Sequence, residues 1–324
     1  MKKTGLLLIH GFLTCTDDWD LFVPELEKLY DGVVLFKQPG HERADGKPHY
    51  RDFTADAAFS ELGRTLREME EEYETIDIMG HSMGGGMALY AAAEAKNVRR
   101  TVLLSPAIKY PRPGAFARHN SAVSKLQNMS RHCRDTELAE ALAAAASNVR
   151  TTFKESVDMF LKRLLPNWSP HNLMTFARIM GRAEKYADKV ECPLAVLWGE
   201  LDEFIPRRAA DIILAKAGSR EKTFISYADM GHAMMYLGDV RALLRDVICL
   251  LSGGDICGGE TEKGEERTVR RMTEEVEGVR TVTVTDRIVK TKEGVTAEHG
   301  RCEDFEPFGA EPAAAQPADN KRAH

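Results

Sequence analysis

The chain has 324 residues, 43% of them hydrophobic, which is enough for a sizeable core and excludes wholesale disorder. Its 44 Lys and Arg stand against 50 Asp and Glu, a net charge of −6, which argues against a protein that grips nucleic acid through phosphate neutralisation. No apolar run approaches the length of about 18 residues that a transmembrane helix needs.

The first twelve residues, MKKTGLLLIHGF, imitate a signal peptide, but the apolar part, Leu6–Ile9, is too short for a signal core. It reads as a buried strand of a cytoplasmic protein. Further short apolar runs follow at Val33–Phe36, Ile76–Met79, Thr101–Leu104, Leu194–Trp198 and Thr223–Tyr227. Runs this short and continuous suit strands buried on both faces. Helical patterns lie between or after them, at about Trp19–Tyr30, Thr54–Glu72, Met83–Ala95, Pro206–Ala217 and Asp239–Leu251. The second places Ala58, Leu62, Thr65, Leu66 and Met69 on one stripe. Such alternation predicts an α/β fold, a mostly parallel sheet of about six strands with helices on both faces.

Residues 106–189 break this rhythm. They hold no convincing strand but show helical patterns at Thr136–Ser147, Thr152–Leu165 and Asn172–Tyr186. They also carry 14 Lys and Arg against 7 Asp and Glu, a surplus of +7 in an acidic protein. The segment reads as a helical cap inserted into a core made of residues 1–105 and 190–254. A solvated helical surface is the favoured account of its charge, and weak contact with a membrane surface is the alternative. Residues 255–324, rich in Glu, Gly and Thr, are expected to form an acidic, disordered tail, within which 281–289 alternates like a strand that could form a local hairpin. The six cysteines, at 15, 133, 192, 249, 257 and 302, form no C-x-x-C pair, so buried thiols are expected rather than disulfides or a metal site.

The chemistry concentrates at Gly80-His81-Ser82-Met83-Gly84. This G-x-S-x-G follows a strand pattern and precedes a small-residue helix, the context in which a sharp turn exposes a serine at a helix N-terminus. A nucleophilic serine needs a base and an orienting acid, here expected in the order Ser, acid, His. Asp202 follows the run Leu194–Trp198, with Glu200 and Glu203 as rivals, and His232 follows Thr223–Tyr227. Asp229 lies too close to His232 along the chain to orient it. The bland alternatives are a helix cap for Asp202 and a loop histidine for His232. The oxyanion of a tetrahedral intermediate needs N–H donors. Met83, next to the nucleophile, and Phe12, in the loop after Leu6–Ile9, are the candidates, with Gly11 allowing a tight turn and His10 propping the loop.

His10-Gly11-Phe12, Gln38-Pro39-Gly40-His41, Gly80–Gly84, Gly199–Asp202 and Gly231-His232 resemble, in order, the landmarks of the α/β-hydrolase superfamily. The resemblance covers about residues 4–252 and is strongest to the bacterial carboxylesterase and monoacylglycerol lipase (serine aminopeptidase-like) group. Gly40-His41-Glu42 departs from the family's Gly-His-Gly, and nothing beyond Gly254 has a counterpart. The resemblance implies a serine hydrolase of short- or medium-chain acyl esters or monoacylglycerols, acting through an acyl-enzyme on Ser82. It implies no cofactor and no metal. A thioesterase, an aminopeptidase, a C–C bond hydrolase or a non-catalytic ligand-binding protein on the same fold are the alternatives. The expected partner is a small ester or lipid-like molecule, with a homodimer left open.

Overall fold

A computed structural model describes residues 3–41, 48–109, 117–159, 161–162, 165–235, 240–254, 256, 266–291 and 294–308. Each of the six apolar runs is a strand. They are β1 (Thr4–Ile9), β2 (Gly32–Phe36), β3 (Thr75–His81), β4 (Val98–Leu104), β5 (Leu194–Gly199) and β6 (Glu221–Tyr227). All six pair in parallel in the order β2-β1-β3-β4-β5-β6. Alternate residues of β1 explain why its sequence is apolar throughout. Leu7 and Ile9 enter the core on one face of the sheet, and Leu6 and Leu8 enter the core on the other.

The helices largely follow their patterns. α2 (Ala55–Glu72) is capped by Thr54, whose hydroxyl accepts from the Ala57 N–H, and its five-residue stripe is buried. α3 is Met83–Glu94, α7 Arg208–Lys216 and α8 Val240–Ser252. The segment Trp19–Tyr30 differs from its expected single helix. It forms a 3-10 turn (Thr16–Trp19) and a four-residue helix, α1 (Val23–Leu26). Pro24 fits the first turn of a helix but not its interior, so it starts a helix rather than continuing one.

Between β4 and β5 the described residues form the α-helices α4 (Ala117–His132), α5 (Thr136–Met159) and α6 (Pro170–Ala183). The pattern 136–147 and the part of 152–165 up to Met159 merge into α5, since no Gly or Pro separates them. Ser169 caps α6 through the Asn172 N–H, and Phe176, Ile179 and Met180 pack on α3.

The expectation for the C-terminal segment needs correction. The sheet has nine strands, because β7 (Arg267–Glu274), β8 (Gly278–Lys290) and β9 (Val295–Pro307) add to β6 as an antiparallel meander. Few side chains of these strands are fully buried, a handful in β7 and β8 and Val295 alone in β9, so their composition is polar although they pair in a sheet. Val269 and Val284 are buried while most of β9 is exposed. The meander is also fastened electrostatically. The buried Arg267 donates to both oxygens of the buried Asp246 of α8, at 2.6 and 2.7 Å, and the Tyr227 hydroxyl donates to the same carboxylate at 2.8 Å. Residues 309–324 lie outside the described residues.

Candidate active site

The sheet order brings the site together. The chain leaves β1 toward β2 on one side and returns to β3 on the other, so the loops after β1 and β3 diverge at a crevice. Ser82 sits there, directly after β3 and at the start of α3, with φ 55° and ψ −119°. This conformation is costly for a residue with a side chain. It is held by neighbours. The Ser82 N–H donates to the Leu104 carbonyl and the Ser82 carbonyl accepts from Ala107. Gly80 and Gly84 are obligatory for a steric reason. A Cβ on Gly84 would overlap the carbonyls of Ile9 and His10, and one on Gly80 would overlap the Gly84 backbone.

Ser82 Oγ lies 2.9 Å from His232 Nε2, and His232 Nδ1 lies 2.8 Å from Asp202 Oδ2. A carboxylate facing Nδ1 accepts a hydrogen bond from it and keeps the ring proton on that nitrogen, which leaves Nε2 to accept from the Ser82 hydroxyl. The other oxygen of Asp202 accepts from the N–H groups of Phe204 and Ile205, at 2.9 and 2.7 Å. Both carboxylate oxygens are thereby oriented. All three side chains are buried. Burial would lower the pKa of His232, but the charge and hydrogen bond of Asp202, with the charge of Glu203, outweigh it and raise the pKa.

The two rival acids take other places. Glu200 pairs with Arg207 at 2.7 Å. Glu203 is buried, and its Oε2 accepts from the backbone N–H of His232 at 3.0 Å. His81, the variable residue of the serine motif, holds the same loop from below, with its Nε2–H donating to the His232 carbonyl at 2.9 Å. Burial and the neighbouring His232 push its pKa to about 3, so it stays neutral. Neither contact is legible in the sequence, since both depend on where the His232 loop comes to rest, 29 residues from Glu203 and 151 from His81.

The loop after β1 lies against Ser82. A Cβ on Gly11 would sit 3.5 Å from that of Ser82. The turn expected of Gly11 falls instead on Leu13, whose φ is 56°, and a Cβ at Gly11 would meet only ordinary contacts. His41 holds that turn. Its Nδ1–H donates to the Pro39 carbonyl and its Nε2 accepts from the Leu13 N–H, at 3.1 and 3.3 Å. Burial pushes the His41 pKa to about 4, which keeps Nε2 free to accept. His10 lies away from the Ser82 relay. Its Nδ1 is 3.0 Å from the Gly11 carbonyl, while Gln38 donates to its backbone carbonyl at 2.7 Å. Phe12 stacks on Phe176 of α6, with ring centroids 4.7 Å apart.

The family follows from a direct match over residues 2–237 to serine aminopeptidase S33. The chain belongs to this family of α/β-hydrolases. Within the serine aminopeptidase S33 proteins it resembles monoacylglycerol lipases. Monoacylglycerol lipase ABHD6 of Mus musculus is 25% identical over 249 residues, 72% of this chain and 71% of that protein. The thermostable monoacylglycerol lipase of Bacillus sp. strain H-257 is 23% identical over 233 residues, 70% of this chain and 82% of its own. Among solved structures, the Paleococcus ferrophilus monoacylglycerol lipase superposes with a TM-score of 0.54 at 17% identity, covering 77% of this chain and 94% of its own. That superposition shows the shared fold. No cluster of metal-binding side chains and no helix able to cross a membrane occurs among the described residues.

Proposed function

We propose that this serine aminopeptidase S33 protein hydrolyses carboxylic esters, with short- to medium-chain acyl esters or monoacylglycerols as substrates. The observation that carries the reading is the unbroken relay from Ser82 Oγ through His232 to Asp202, at 2.9 and 2.8 Å, in a buried crevice. In this reading His232 takes the Ser82 proton as Oγ attacks the acyl carbon. The tetrahedral oxyanion is met by the N–H groups of Phe12 and Met83. His232 then returns the proton to the leaving alcohol, and water hydrolyses the acyl-enzyme by the same steps. Asp202 keeps the imidazole in the required tautomer and stabilises its cation. No step calls on a cofactor. The relatives named as monoacylglycerol lipases support esters over amides.

The helices between β4 and β5 would form the cap. Phe176 places an apolar ring beside Phe12 and so beside the acyl position. Of the other apolar residues that the cap supplies, Leu165, Trp168, Leu173 and Met174 are exposed, which suits contact with a lipid surface. The side chains of Phe153 and Met159, and residues Phe160 and Leu164, lie outside the described residues.

The test is labelling by a fluorophosphonate probe, followed by hydrolysis of aryl esters of increasing acyl length beside a thioester and an aminoacyl amide. Ser82→Ala should lose labelling with an unchanged circular dichroism spectrum, and wild-type kcat/KM should rise with acyl length. Equal labelling of both proteins removes Ser82 from the reaction, and a preference for the amide replaces esters with peptides.

A further inference from the structure

The β8–β9 hairpin reaches across the molecule to the helices between β4 and β5. Ile288 of β8 and Val295 of β9 are 5% and 4% exposed, buried in a small core of their own. Its other walls are Leu126 and Met129 of α4, Leu138 and Leu142 of α5, and one residue of the hydrolase core, Leu201. Polar contacts flank this cluster. Cys133 Sγ donates to the Val295 carbonyl at 3.6 Å, and Lys290 Nζ donates to Asn128 Oδ1 at 3.1 Å. Lys125 of α4 stands 3.7 Å from Glu266, whose carboxylate also accepts from the Ile288 N–H at 3.1 Å.

Leu201 gives this packing its meaning. It directly precedes Asp202, and its N–H donates to the Met230 carbonyl at 3.0 Å, in the loop that carries His232. One apolar cluster therefore joins α4, α5 and the hairpin to the residue that precedes Asp202. The family match ends at residue 237, before the hairpin.

We infer that the β8–β9 hairpin is a brace that holds the α4–α5 cap against the loops bearing Asp202 and His232, with Ile288 and Val295 as its positioning residues. The brace rests on the ester-hydrolase reading only for its consequence. A loosened cap should weaken the binding of long acyl chains while leaving the attack of Ser82 intact.

The experiment compares the full-length protein with Ile288→Ala, Val295→Ala and the double variant. Thr281→Ala, elsewhere on β8, and Ile288→Val serve as controls. Tryptic cleavage within 117–159 should quicken by about tenfold in the double variant, because deleting buried methyl groups raises the population of the opened cap. KM for a long-chain aryl ester should rise about threefold or more, while kcat for the acetyl ester changes by less than about twofold. Both controls should behave as wild type. Should the double variant not fold, the single variants decide. Unchanged cap cleavage in folded variants overturns the brace. So does a loss of kcat for the acetyl ester equal to that for the long ester. If Ser82 fails to label in every form, the hydrolase reading fails and cleavage alone judges the brace.

Discussion

At the scale of single residues, the geometry separates three acids that the sequence sets within four positions. Asp202 has one oxygen on the imidazole and the other on two backbone N–H groups. Asp202→Asn preserves the shape but favours the wrong tautomer, so turnover should fall by about 10⁴ in a single-turnover assay. Near-normal turnover would move the orienting role elsewhere. Glu203 acts on the same histidine through its backbone N–H and its charge. In the proposed reaction His232 must be neutral to accept the serine proton, and its raised pKa should place the acid limb of kcat/KM above that of an ordinary histidine. Removing the Glu203 charge should lower that pKa. Glu203→Gln should therefore shift the acid limb toward lower pH, with a loss of about tenfold in kcat from the loosened loop. An acid limb that does not move would show that the Glu203 charge is not felt at the imidazole.

At the scale of elements, the turn from β3 into α3 depends on close approach of backbones. Gly84 lies under the end of β1, where the Ile9 and His10 carbonyls occupy the space a Cβ would need. Gly84→Ala should cost about 2–3 kcal/mol, read as a lower urea midpoint, because neither backbone can yield. It should also reduce Ser82 labelling, since the displaced segment carries the proposed nucleophile. A variant with wild-type midpoint and labelling would show that the turn has slack. The helix patterns teach a related lesson. The stripe of α2 is read correctly because its burial follows from its own period. Two other segments are misjudged at their ends, where Pro24 starts a helix and the absence of a breaker lets α5 run on.

At the scale of the whole molecule, the last three strands belong to the sheet. Ending the chain after Gly254 strips the edge of β6 and leaves the Asp246 carboxylate buried without Arg267. Removing one partner of a buried ion pair costs about 3–5 kcal/mol, so the shortened protein should be insoluble or should melt well below the full chain. Calorimetry and a solubility assay check this. A soluble protein with the full melting temperature and full esterase activity would make the meander dispensable.

The parallel core and the positions of Ser82, Asp202 and His232 are legible in the chain because each rests on a local cause. Strands buried on both faces must be apolar throughout, a serine on a strained turn must be flanked by glycines, and acid and base follow later strands in a set order. Of the antiparallel meander only the alternation at 281–289 is legible, because most of its side chains are exposed or half-buried and its composition matches that of a solvated tail. Its anchors are distant partners: Arg267 needs Asp246, and Ile288 needs α4. The same holds for the grip of Glu203 and His81 on the His232 loop. Such contacts join residues that no pattern connects along the chain, and they exist once the sheet has set its neighbours.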